Sequence, residues 1–202
     1  MQDPILFGFS IIILILSVIA HELAHGYAAD FLGDPTPRLA GRLSLNPLVH
    51  IDAFGSVVVP TISYLLGGAI FGWAKPVPYN PYNLKSRAGE AFVASAGILT
   101  NLLLALIFGL ILRFFGESLS PSFTMLASSV VFINCLLAVF NSIPVPPLDG
   151  SKVIFSFLPA YLLEKTRGFE AFALPALLFV VFMLWPLLSP LVYLLFRLIV
   201  GF

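Results

Sequence analysis

The sequence predicts an all-α polytopic membrane protein, with about five to six transmembrane or re-entrant helices and a small β or extended element near its active groups. Two observations carry this. Hydrophobic residues make up 59% of the 202 and charged residues only 10%, whereas a soluble domain carries about 25% charged residues. Apolar runs long enough to cross a bilayer recur, and the gaps between them are too short to hold a second core, so residues 1–202 read as one integral membrane domain.

Residues 5–20 contain no charge, and their helical pattern runs on through residue 31 until Gly33, Asp34 and Pro35 stop it. The run lacks the basic n-region and small-residue cleavage pattern of a signal peptide, so a retained membrane helix is expected over 5–31. Residues 32–53 and 73–90 are punctuated by Pro, Gly and Asn and read as loops or short extended segments. Between them, 54–72 is apolar but interrupted by Pro60 and by Gly67 and Gly68, and would barely span. Residues 91–115 and 123–141 are better spans, and the short polar turn between them predicts an antiparallel pair. NSIPVPPLDG at 141–150 then breaks the helix with three prolines. Two C-terminal helices are expected, a clear one over 169–187 and a shorter one over 188–202.

Lys plus Arg (10) balances Asp plus Glu (10), and no basic stripe with interleaved aromatics suggests nucleic acid. The expected partners are the lipid bilayer and other membrane-borne molecules. Cys135 is the single cysteine, so an internal disulfide and a Cys-rich metal cluster are both excluded; a buried thiol is expected. Trp73, Tyr79 and Tyr82 flank apolar spans and read as interfacial anchors.

The chemistry concentrates in HELAH at 21–25. His21 and His25 stand at i and i+4, which puts both imidazoles on one helix face within reach of a single Zn²⁺. Glu22 is placed to reach a water rather than the metal, as a general base for hydrolysis must be. Glu22 lies 17 residues beyond Ile5, which at 1.5 Å per residue is about 25 Å into a hydrocarbon core of about 30 Å. Ionisable groups at that depth cost about 2.5–3.5 kcal/mol each and mark function by default.

A catalytic zinc takes three protein ligands and keeps one position open. The candidates for the third are His50, Asp52, Asp30, Asp34 and Asp149. Asp30 and Asp34 sit near a helix end, where a solvated or capping carboxylate is ordinary. Asp149 follows a long apolar span and PVPP, with an N-cap of a helix near Ser151 as its competing reading.

Four ordered motifs, HELAH at 21–25, LNPLVHID at 45–52, FGWAKPVPYNP at 71–81 and NSIPVPPLDG at 141–150, resemble the site-2 protease family of intramembrane zinc metalloproteases, in its compact bacterial type without a PDZ domain. The resemblance covers about residues 15–153. It implies His21, His25 and Asp149 as zinc ligands, Glu22 as catalytic base, and Asn141 and Pro147 as substrate-binding residues; His50 fits the family's H-I-D pattern and reads as an ordinary loop histidine or one orienting the active site rather than a ligand. It also implies strands over the 71–81 segment, where an unwound substrate could add an edge strand. The sequence departs from the family's A-G-P-x-x-N pattern at Ile98 of AGILTN (96–101), and has Lys152 where the family often has Arg.

The implied activity is hydrolysis of a peptide bond within or near a transmembrane segment of another membrane protein. The competing readings are an ion transporter or channel, which would spread ionisable residues along its spans, and a silent scaffold, which would not need Glu22. If His21, His25 and Asp149 are to meet, residues 54–72 must enter and return on one face. Arg38, Arg42, Lys75, Lys85, Arg87, Lys152, Lys165 and Arg167 then share that face, with Arg113 opposite, so a cytoplasmic active site in a bacterial cell membrane is expected.

Overall fold

The computed structural model describes residues 4–52, 54–59, 74–159, 162 and 173–201. Its helices are α1 (Pro4–Phe31), α2 (Thr36–Leu39), α3 (Arg87–Phe115), α4 (Pro121–Asn141), α5 (Asp149–Ser156) and α6 (Ala173–Val200). Stretches of α1, α3, α4 and α6 are long and apolar enough to cross a membrane. Ser86 caps α3 by accepting from the Gly89 N–H, and Ser120 caps α4 by accepting from Phe123. No β-strand forms among the described residues; residues 74–80 have no regular secondary structure and are tied down by bonds such as that from the Lys75 N–H to the His50 carbonyl at 2.9 Å.

The expected pair of C-terminal helices is corrected to one helix, α6, with Pro186 and Pro190 inside it. Proline ends helices in water, but a bundle in lipid can re-satisfy the freed carbonyls through neighbouring groups, so the helix continues. Of the apolar segment 54–72, the described part is a short π-helical turn, Phe54–Val58, followed by Val59. The rest of that segment, with the expected re-entrant hairpin, lies outside the described residues, as does Trp73.

Each span is apolar all round but sorted by size and polarity. On α1, Ile12, Leu16 and Phe31 are exposed, while Ser17, His21, His25 and Ala29 are buried at helical spacing on the opposite face. Lipid meets the large side chains and the bundle interior receives the small and polar ones. Ala105 and Leu112 of α3, Ala127, Val131 and Cys135 of α4, and Val192 and Val200 of α6 form the main core. Between α1 and α4, Asn134 Nδ2 donates to Ser17 Oγ at 2.9 Å.

α1 stops at Gly33, which takes the left-handed conformation (φ 103°) that a side chain would strain. Next to it Asp34, expected as a solvated or capping carboxylate, does accept from the Thr36 turn that follows but is fully hidden from solvent. Its carboxylate accepts from the backbone N–H of Thr36 (3.1 Å) and Asn80 (2.6 Å), the Thr36 hydroxyl and the Asn83 amide (2.7 Å). It thereby fastens the extended segment to the end of α1. Burial pushes the carboxyl up, but the Thr36 hydroxyl, the Asn83 amide and the two backbone donors outweigh it and hold it below its ordinary 3.8. That stabilisation is present above pH 3.8 and lost as pH falls through the lower folded-state value. Asp34→Asn should therefore lower the thermal midpoint in detergent at neutral pH, and the gap from the parent chain should close below about pH 4. A gap independent of pH would mean that the charge contributes nothing.

Candidate metal centre

α1 and α3 run antiparallel, and their contacts define the centre. His25 Nδ1–H donates to the Val93 carbonyl at 2.7 Å, and His21, one turn earlier on α1, donates from Nδ1 to Asn101 Oδ1 at 2.7 Å, two turns later on α3. Both protonated nitrogens are used outward, so both Nε2 lone pairs turn inward. Asp149, the first residue of α5, enters from the far end of α4 and places Oδ2 at 2.9 Å from His21 Nε2 and 3.0 Å from His25 Nε2. The two Nε2 atoms lie 3.0 Å apart. All three residues are buried.

Three acceptor atoms face one another here with no proton to share, which is repulsive unless a cation lies among them. A tetrahedral ion with bonds of about 2.0–2.1 Å holds its donors about 3.3–3.4 Å apart, so a small expansion of this triangle accommodates zinc. Two imidazoles and one carboxylate also form the donor set of a hydrolytic zinc site. The residues fit the metal.

Close approach to α3 is possible because of Gly97. A Cβ there would stand 2.6 Å from His21 Cε1, His21 Nε2 and His25 Nε2. Gly150 has the corresponding role under Asp149, since a Cβ would meet the Ser142 carbonyl oxygen at 2.4 Å. Lys152, one turn along α5, donates to Asp149 Oδ1 at 3.1 Å, leaving Oδ2 for the imidazoles. Burial would lower the Lys152 ammonium, but the Asp149 charge raises it further, so its pKa is held above the ordinary value.

Glu22 is half-buried beside the ligands, and its Oε2 accepts from the Val77 N–H at 2.8 Å. The other candidates are not in the cluster. His50 is buried in the Pro47–His50 turn, where Nε2–H donates to the Ser44 carbonyl at 2.8 Å and its own carbonyl accepts from Lys75 N–H. Asp52 caps the turn at Phe54, accepting from Phe54 and Gly55 N–H groups. Asp30 pairs with Arg38. Asn141 Nδ2 donates one turn back to the Leu137 carbonyl, and Pro147 is exposed after a cis bond to Pro146. Tyr79 packs against Ala28, Ala29, Leu84 and Val93, whereas Tyr82 is exposed.

Asn101 and the Val93 carbonyl are groups to which the sequence reading assigned no role. Outer hydrogen bonds of this kind typically contribute 10–100-fold to metal affinity. Asn101→Ala should therefore weaken zinc retention by about that factor in a chelator titration. Unchanged retention would show that packing alone orients His21.

Residues 9–129 match the model of Peptidase family M50. The protein named "Putative zinc metalloprotease YwhC" of Bacillus subtilis (strain 168) is 36% identical over 198 residues, covering 91% of this chain and 87% of that protein. "Putative zinc metalloprotease MJ0611" of Methanocaldococcus jannaschii is 31% identical over 157 residues, with 73% of each chain covered. "Putative zinc metalloprotease Rip2" of Mycolicibacterium smegmatis is 29% identical over 139 residues, 67% of this chain and 52% of that protein. No solved structure matches the chain.

Proposed function

The chain belongs to peptidase family M50, the site-2 protease family, as a zinc metalloprotease with membrane-spanning helices, and from this we propose that it cuts a peptide bond within or near a transmembrane segment of another membrane protein. The observation that carries the proposal is the buried triangle of His21, His25 and Asp149 with Glu22 beside it. Among the described residues, one group of His, Cys, Asp and Glu side chains is close enough to hold a metal ion, and it is this one, which favours metal-dependent hydrolysis over ion transport.

His21, His25 and Asp149 would hold zinc, with Asn101, the Val93 carbonyl and Lys152 fixing their orientation. When bound, zinc supplies Lewis acidity and brings the pKa of a water from 15.7 to about 7. Glu22 takes the proton of the attacking water and returns it to the leaving amine. A helical substrate hides its carbonyls in its own hydrogen bonds, so it must unwind locally first, and helix-breaking residues near the cut should favour cleavage. Asn141 is proposed to assist the developing oxyanion or the substrate backbone, Pro147 to line the same approach, and His50 to support the active site from the loop it braces. Co-expression with tagged single-span membrane proteins, comparing this chain with its Glu22→Gln form, tests the proposal. Equal cleavage by both forms would overturn it.

We further propose that the centre opens to the cytoplasm. α1 ends, and α3 begins, on one face, while Arg113 of α3 reaches the Leu198 carbonyl at the end of α6 on the other. Arg38, Arg42, Lys75 and Lys85 fall in the chain between the end of α1 and the start of α3, and Lys152 pairs with Asp149; assigned to the first face, they make it cytoplasmic by the positive-inside rule. Single cysteines at Ser44 and Ser86, in a Cys135→Ser background, should both react with an impermeant thiol reagent only from the cytoplasmic side. Labelling from opposite sides would refute this topology.

A further inference from the structure

Arg42 is a buried guanidinium, 7% exposed, and no ion pair among the described residues includes it. Its Nη2 donates instead to the carbonyls of Lys75 (2.6 Å) and Pro76 (3.2 Å). Burying a cation against carbonyls alone is costly. The Pro76 carbonyl belongs to the same peptide group as the Val77 N–H, and that N–H donates to Glu22 Oε2 at 2.8 Å. A cation at one end of this amide and a carboxylate at the other polarise it in the same sense, which strengthens both hydrogen bonds.

The local sequence isolates this amide. Val77 lies between Pro76 and Pro78, which have no N–H, so the tripeptide offers one backbone donor. A residue before proline is held in extended conformation, so the donor is stiffly presented. Its register on α1 is set a second time by packing: Gly26, one turn beyond Glu22, leaves room for Val77 Cγ1, which would stand 3.0 Å from a Cβ there. Asp34 fixes the far end of the segment through Asn80 and Asn83.

We propose that Arg42 is a positioning residue for the reaction, acting on Glu22 through the single Pro76–Val77 peptide group. A buried cation and a half-buried carboxylate are thereby coupled without touching, and one Glu22 oxygen is fixed so that the other is directed at the water. The proposal rests on the reading of Glu22 as base.

The test uses the full chain in detergent with a tagged single-span membrane protein that it cleaves. Incorporating the α-hydroxy analogue of valine at position 77 turns the amide into an ester and removes the N–H while keeping every side chain. The expected result is a kcat lower by about 10- to 100-fold, with KM within about two-fold and about one zinc per chain retained. Arg42→Met should give a similar kcat loss and Arg42→Lys a smaller one. In the ester background, Arg42→Met should cost less than about three-fold, because the relay is already cut. An unchanged kcat in the ester chain, or an Arg42→Met loss equally large in both backgrounds, overturns the relay. If Arg42→Met does not fold, the ester chain decides alone. Retained cleavage by Glu22→Gln would instead remove the reading of Glu22 as base.

Discussion

Glu22→Gln should abolish peptide cleavage, by about 10²- to 10⁴-fold, while the purified protein still carries about one zinc per chain. The two halves follow from different atoms. The donors proposed for the metal are His21 Nε2, His25 Nε2 and Asp149 Oδ2, and Glu22 is not among them, so the centre should keep its ligands when the carboxylate becomes an amide. Glutamine is nearly the same size, and its side-chain oxygen can still accept from the Val77 N–H, so the extended segment stays docked on α1. What is lost is proton acceptance, because an amide is not a base at neutral pH. Cleavage comparable to the parent chain would remove Glu22 from the mechanism. Zinc loss alongside activity would make it a structural partner of the ligands.

The juxtaposition of His21 and His25 was legible in HELAH, because helical spacing alone puts both on one face. The spans α1, α3 and α4 were legible for a similar reason, since each is a local apolar run closed by punctuation. Asp149 needed the resemblance: its pairing with His21 crosses 128 positions, and no local pattern encodes it. The groups that orient the imidazoles were less visible still. Asn101 and the Val93 carbonyl act across the register of two antiparallel helices, and a backbone carbonyl leaves no mark in a sequence. The local contacts of Asp34 with Thr36 fit a capping carboxylate, but its burial was not legible because its partners Asn80 and Asn83 arrive from a distant segment. The division of the C-terminal segment at 187/188 does not hold, because Pro186 and Pro190 lie inside one continuous helix that a bundle in lipid can sustain.

Zinc content should separate three variants that sequence spacing alone does not rank. Asp149→Ala removes one of three donors from a buried site and leaves two imidazoles with no anion, so zinc should fall to less than about a tenth per chain. Gly97→Val should do nearly as much without touching a ligand atom. Even the first carbon of the new side chain would stand 2.6 Å from both Nε2-bearing rings, and α3 backbone cannot retreat without breaking the His25 bond to Val93 and the His21 bond to Asn101. The imidazoles must rotate, and with them the lone pairs that define the centre. His50→Ala, by contrast, should leave about one zinc bound, because His50 Nε2–H is spent on the Ser44 carbonyl and the residue braces a loop rather than the triangle. Its cost should appear as a lower thermal midpoint, by the loss of one buried hydrogen bond worth about 0.5–1.5 kcal/mol. Full zinc in Asp149→Ala together with empty His50→Ala would exchange their roles and dismantle the centre as assigned. Full zinc in Gly97→Val would mean that the helices separate more readily than their packing implies.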